Sequence, residues 1–113
     1  KAGAKKVFFA SAAPALRHPC LYGVDMYARS EFIANKLNEK EIAKAIGADA
    51  LIYQELDDLV DCVVHHDNPE LKHPCTACFS GKYPAGRVTE KILKEVEGER
   101  LKTLEKKGEG VGV

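Results

Sequence analysis

The chain has 113 residues, of which 45% are hydrophobic and 30% charged, with no Trp. That length allows one domain at most, able to bury roughly 65% of the surface the unfolded chain exposes, and the composition excludes disorder of the whole chain. Lys plus Arg and Asp plus Glu number 17 each, so the net charge is zero, which argues against a nucleic-acid partner or a polybasic membrane surface.

The chain opens on Lys1 rather than Met, with no secretory leader, which leads us to expect a piece of a longer, cytoplasmic protein. The run Val7 to Ala13 is far too short to span a membrane. Within it, Lys5 to Ser11 reads as a short buried strand, broken by Pro14. Ala12 to Tyr27 carries Pro14, Pro19 and Gly23 and reads as loop. Ser30 to Lys36 predicts a short helix, with Ser30 as N-cap and Phe32 and Ile33 turned inward.

Asn38-Glu39-Lys40-Glu41 is a variant capping box. The helix it opens places Ile42, Ala43 and Ile46 on one face and stops at Gly47. Ala50 to Tyr53 predicts a second buried strand. Glu55 to Val64 predicts a helix with a stripe of Leu56, Leu59, Val60 and Val63, flanked by Cys62 as a buried, inert thiol. Asp57 and Asp58 form its solvated face, and His65-His66 sits where a cation favours a helix C-terminus. Asn68 to Pro84 is turn-rich. Arg87 to Lys107 predicts a charged helix with Val88, Ile92 and Val96 as its stripe, weakened at Gly98 and followed by a frayed tail, residues 108–113. The fold class is α/β with about two strands. Two strands make a poor sheet, so the apolar faces call for partners outside the chain.

The cysteines are Cys20, Cys62, Cys75 and Cys78. Cys75-Thr76-Ala77-Cys78 is a C-x-x-C in the turn-rich stretch, and three readings stay open: a metal or cluster site, a redox pair, or free thiols. Two thiolates at this spacing curl around one centre, and turn amides can donate to their sulfurs.

Several blocks are more specific. They are Ala10-Ser11-Ala12-Ala13-Pro14 with Arg17, Tyr22-Gly23-Val24-Asp25, Glu31-Phe32-Ile33-Ala34, and Ile46-Gly47-Ala48-Asp49-Ala50-Leu51-Ile52-Tyr53-Gln54. Together, over about residues 1–86, they closely resemble the C-terminal part of the phosphoribosyltransferase domain of amidophosphoribosyltransferases. The resemblance implies an incomplete portion of a type I phosphoribosyltransferase-like parallel sheet, followed by a C-terminal helix (residues 87–107) that departs from the family. It implies a parent enzyme that hydrolyses glutamine and passes the ammonia to phosphoribosyl pyrophosphate (PRPP), giving 5-phosphoribosylamine for purine synthesis. Purine nucleotides as inhibitors, Mg2+ held by residues outside this chain, and a homo-oligomer built with the remainder of the enzyme chain follow from the same likeness. The glutaminase nucleophile and the PRPP loop are not among these residues, so the chain alone is expected to be inactive.

One branch of that family carries a [4Fe-4S] cluster. Its ligand contexts match His18-Pro19-Cys20-Leu21-Tyr22-Gly23 and Cys75-Thr76-Ala77-Cys78-Phe79-Ser80-Gly81-Lys82-Tyr83-Pro84. The resemblance thus implies Cys20, Cys75 and Cys78 as ligands, with a fourth outside the chain, and omits Cys62. The Phe9 to Pro14 block is closer to the cluster-free branch, so zinc remains an alternative, with His18, His73 or Cys62 completing a tetrahedron. The resemblance also puts Asp25 near substrate and Phe32 on the wall of the ammonia channel. Helix capping by Asp25 and core packing of Phe32 are the ordinary readings, and Lys82 is either a phosphate contact or a solvated loop lysine. The alternative function is a self-standing iron–sulfur or zinc module descended from that enzyme.

Overall fold

Two three-residue strands, β1 (Phe8–Ala10) and β2 (Ala50–Ile52), pair in parallel, with Phe8 opposite Ala50, Phe9 opposite Leu51 and Ala10 opposite Ile52. The computed structural model from which this is read describes residues 2–24, 26–65 and 70–109. The ladder runs past both strand ends. The Asp49 amide donates to the Val7 carbonyl at 2.8 Å, and Ser11 donates to Ile52 at 2.8 Å. The Val7 amide also donates to the Asp49 carboxylate at 2.7 Å, which fixes the register at the strand entrance.

Parallel strands need a crossover between them. Here it ends in α1 (Glu39–Ile46), which leads directly into β2. The capping box forms as the sequence predicts. The Glu41 amide donates to Asn38 Oδ1 at 3.0 Å, and the Asn38 amide donates to Glu41 Oε2 at 2.8 Å. Gly47 closes the helix with φ of 73°, a conformation that costs a residue with a Cβ. Replacing Asn38 by Ala is expected to cost about 1 kcal/mol, readable in a urea titration followed by circular dichroism; an unchanged midpoint would contradict it.

The core is small. Ala34, Ile42, Ala43 and Leu51 are buried together, with Ala15, Leu37 and Tyr53 packed around them. Beyond it the apolar faces stand open: Phe8 is 64% exposed, Phe9 52% and Ile52 58%. Strands of a parallel sheet are normally covered on both faces. The radius of gyration, 17.4 Å, also exceeds the roughly 13 Å of a compact domain this long. The architecture is therefore a small α/β piece whose sheet lacks its cover.

Several expectations are corrected. Ser30 to Lys36 does not form one helix capped by Ser30. It forms two 3-10 turns, Arg29–Glu31 and Ile33–Asn35, parted at Phe32, whose backbone is extended. A helix this short gains too few bonds to offset its nucleation, and Ala34, rather than Ile33, enters the core. The next helix, α2 (Leu56–His65), has no buried residue, and Cys62 is exposed on it rather than buried. Of the stripe that periodicity named, Leu56, Leu59 and Val60 are half-buried and Val63 is exposed, so the face is only partly covered. Asp57 and Asp58 are exposed in its first turn, as expected. His65 Nδ1 lies 3.0 Å from the Asp61 carbonyl and 2.9 Å from its carboxylate, while His66 lies outside the described residues.

A single turn, α3 (Ala77–Ser80), carries the second half of the C-x-x-C. The final helix, α4, runs Glu90–Glu109, beginning after Val88 and continuing past Lys107. Its buried residue is Leu93, not a member of the predicted stripe; Ile92 is exposed and Val96 half-buried. Ion pairs steer this docking. The Arg29 amide donates to Glu97 Oε1 at 2.7 Å, its guanidinium lies 3.4 Å from Glu97 and from Glu90, and Arg100 Nε lies 3.6 Å from Glu31. No helix among the described residues is long and apolar enough to cross a membrane.

Candidate thiol site

Two segments far apart in sequence meet at the cysteines. The first is Arg17 to Tyr22. The second is the turn from Cys75 through α3 to Ala85. The C-x-x-C turn is built by its own side chains. The amides of Phe79 and Ser80 donate to the Thr76 carbonyl at 2.9 and 2.8 Å. Ser80 Oγ donates to the same carbonyl at 3.0 Å and accepts the Lys82 amide at 3.2 Å. Gly81 then reverses the chain with φ of 73°.

The first segment docks on this turn. The amides of Arg17 and His18 both donate to the Cys78 carbonyl, at 3.2 and 3.0 Å. Pro19 is fully buried, and its carbonyl accepts the Tyr83 hydroxyl at 2.6 Å. The Cys20 amide donates to the Met26 carbonyl at 2.9 Å, and the Tyr22 amide donates to Cys20 Sγ at 3.4 Å. The rings of Tyr22 and Tyr83 meet edge to face with centroids 6.2 Å apart, and the Tyr22 hydroxyl accepts the Ala85 amide at 3.2 Å.

All four cysteines are free thiols; Cys20 and Cys78 are half-buried, Cys75 and Cys62 exposed. Burial pushes the Cys78 thiol above its ordinary pKa. The amides of Cys78 and Phe79 pull the other way, and charge on Cys20 and Cys75 adds to the rise. The Tyr83 phenol is raised too, first by burial and then by charge on Cys20 and Tyr22. The three thiols Cys20, Cys75 and Cys78 therefore share one electrostatic neighbourhood. Cys62 is absent from it.

As a donor set, three thiols, with amides aimed at the sulfurs of Cys20 and Cys78, suit an iron–sulfur centre or zinc. Among the described residues no group of three or more His, Cys, Asp or Glu side chains, Cys20, Cys75 and Cys78 included, is placed to hold a metal ion by itself. The zinc shell completed by His18, His73 or Cys62 is thus not assembled. The His18 ring instead packs against Gly81, and His73 is exposed.

The other candidates fall elsewhere. Asp25 lies outside the described residues. Phe32 is half-buried and lines a largely apolar cleft of about 400 Å³ with Pro14, Tyr53 and Phe79. Lys82 is an exposed loop residue. Tyr83, Gly81, His18 and Tyr22 join the two segments, a role the sequence did not reveal although it placed all four beside the cysteines. Their signal was two runs, His18 to Gly23 around Cys20 and Gly81 to Pro84 shortly after the C-x-x-C.

Comparison with known proteins points one way. No family model matches the chain. The amidophosphoribosyltransferase of Pseudomonas aeruginosa is 41% identical over 111 residues, 98% of this chain and 22% of that protein. The enzyme of the same name from Escherichia coli is 44% identical over 93 residues, 82% of this chain and 18% of its own length. Among solved structures, the glutamine PRPP amidotransferase of B. subtilis, complexed with ADP and GMP, superposes with a TM-score of 0.60 at 36% identity, covering 73% of this chain and 18% of that one. The chain thus spans about a fifth of the length of the curated relatives it matches.

Proposed function

Because the chain is homologous to one segment of the amidophosphoribosyltransferases, we propose that it is the part of such an enzyme that scaffolds the phosphoribosyltransferase sheet and supplies cysteine ligands to a [4Fe-4S] cluster. The parent reaction is the displacement of pyrophosphate from PRPP by glutamine-derived ammonia, giving 5-phosphoribosylamine for purine synthesis. Cys20, Cys75 and Cys78 are the ligands in this reading, and the fourth comes from outside these residues. When bound, the cluster supplies a covalent staple across a loop-rich region, since the reaction moves no electrons. Phe32 lines the ammonia path and Asp25 approaches substrate. Purine nucleotides regulate the whole enzyme, in keeping with the nucleotides bound to the B. subtilis relative.

The observation that supports the reading is the docking of Arg17 to Tyr22 on the C-x-x-C turn, which brings the segment bearing Cys20 up to the one bearing Cys75 and Cys78. A self-standing module would have to cover its own sheet, and Phe8, Phe9 and Ile52 stay exposed. The test is a chimera in which this chain replaces the matched segment of the P. aeruginosa enzyme. We expect it to release pyrophosphate from PRPP and glutamine, while the isolated chain with PRPP, Mg2+ and ammonia releases none. A folded but inactive chimera, or turnover by the isolated chain, would contradict the assignment.

A further inference from the structure

Tyr83 touches no proposed ligand through its side-chain hydroxyl, yet it ties its own segment, which carries Cys75 and Cys78, to the one that carries Cys20. Pro19 is fully buried and its carbonyl needs a donor. The Tyr83 hydroxyl supplies one at 2.6 Å, directly before Cys20 in the chain. Gly81 closes the same junction from the other side. A Cβ there would stand 2.9 Å from His18 Cε1 and push the ring away, and the backbone has φ of 73°, which strains any residue with a Cβ. With the His18 ring seated on Gly81, the amides of Arg17 and His18 reach the Cys78 carbonyl.

We propose that Tyr83 and Gly81 are positioning residues for the thiol site, holding Cys20 against the Cys75–Cys78 turn before any metal arrives. The proposal rests on the reading that these three cysteines act as one site. Its consequence is preorganisation: the ligands meet a metal without first ordering a loop.

The test measures how concentrated Cys20 is relative to the turn. The metal-free, reduced chain, with Cys62→Ser, is equilibrated with reduced glutathione and glutathione disulfide. Two protein thiols give up two electrons and two protons, one S–S bond forms, and glutathione disulfide is reduced to two glutathiones. Peptide mapping quantifies disulfides joining Cys20 to Cys75 or Cys78. Loss of one hydrogen bond in Tyr83→Phe should lower the effective concentration about fivefold, and Gly81→Ala should lower it about tenfold. Tyr53→Phe, which alters a residue packed at the core cluster, should leave it unchanged. Helix content by circular dichroism should hold throughout.

Equal effective concentrations in Tyr83→Phe and the parent chain would overturn the proposal. So would loss of helix signal in Tyr83→Phe, since the hydroxyl would then support the fold at large; Tyr83→Phe decides alone if Gly81→Ala unfolds. The two readings separate cleanly. Iron and sulfide loading that ignores Cys20 fails the cluster assignment and leaves the latch standing if Tyr83→Phe lowers the effective concentration. Loading that needs all three cysteines, with an unmoved effective concentration, fails the latch alone.

Discussion

Replacing Cys75 by Ser is expected to abolish iron and sulfide uptake by the anaerobically reconstituted chain. A serine hydroxyl is a poor substitute for a soft thiolate at such a centre. Cys75 is the cleanest of the three ligands to remove, because it is exposed and an exposed substitution changes stability by roughly 0.5 kcal/mol or less. The loss therefore reports on ligation rather than folding. Cys20→Ser and Cys78→Ser are expected to act the same way, while Cys62→Ser, on an exposed face of α2, leaves loading intact. Iron and sulfide assays alongside a thermal melt check this. A Cys75→Ser chain that loads as the parent does would remove Cys75 from the site.

The second large effect is on the fold. Ile42 is 3% exposed at the centre of a core it shares with Ala34, Ala43 and Leu51. Ile42→Ala truncates the larger of the two side chains that α1 buries in this core and is expected to cost about 2–4 kcal/mol. Small domains hold only about 5–15 kcal/mol in total, and this one leaves much of its apolar surface uncovered, so α1 and β2 should melt. Circular dichroism against urea measures it, and a shift below about 0.5 kcal/mol would contradict the core described. Ile52 offers the contrast. At 58% exposure its change to Ala should barely move the isolated chain, yet it should destabilise the chimera if, as proposed, the remainder of the enzyme covers the sheet.

What the sequence made legible was what local chemistry decides. Asn38 and Glu41 reveal a capping box because both bonds close within one turn. Val7 to Ala10 and Ala50 to Ile52 announce strands by their run of apolar residues, although their parallel pairing was reached through the family resemblance. The failures share one cause. Burial of Cys62, and of the Val88–Ile92–Val96 stripe, was inferred from periodicity, which names an apolar face but not whether anything covers it. On α4 the docking is instead directed by Arg29 and Glu97, residues 68 apart in sequence. The thiol site divides the same way. Cys20, Cys75 and Cys78 were singled out by the likeness of their flanking residues to the family's ligand contexts, whereas the Tyr83–Pro19 bond and the His18–Gly81 contact arise only when the two segments fold together.

The central claim is that three cysteines of this chain ligate an iron–sulfur cluster. The most direct measurement is iron, acid-labile sulfide and zinc content, with a visible absorption spectrum, on the chain reconstituted anaerobically with ferrous iron, sulfide and an external thiol to complete the fourth position. The account predicts iron and sulfide in equal amounts, about four of each per loaded chain, with broad charge-transfer absorption that vanishes in Cys75→Ser. Stoichiometric zinc without sulfide, or no bound metal at all, would contradict it and leave Cys20, Cys75 and Cys78 as a zinc site or as ordinary thiols.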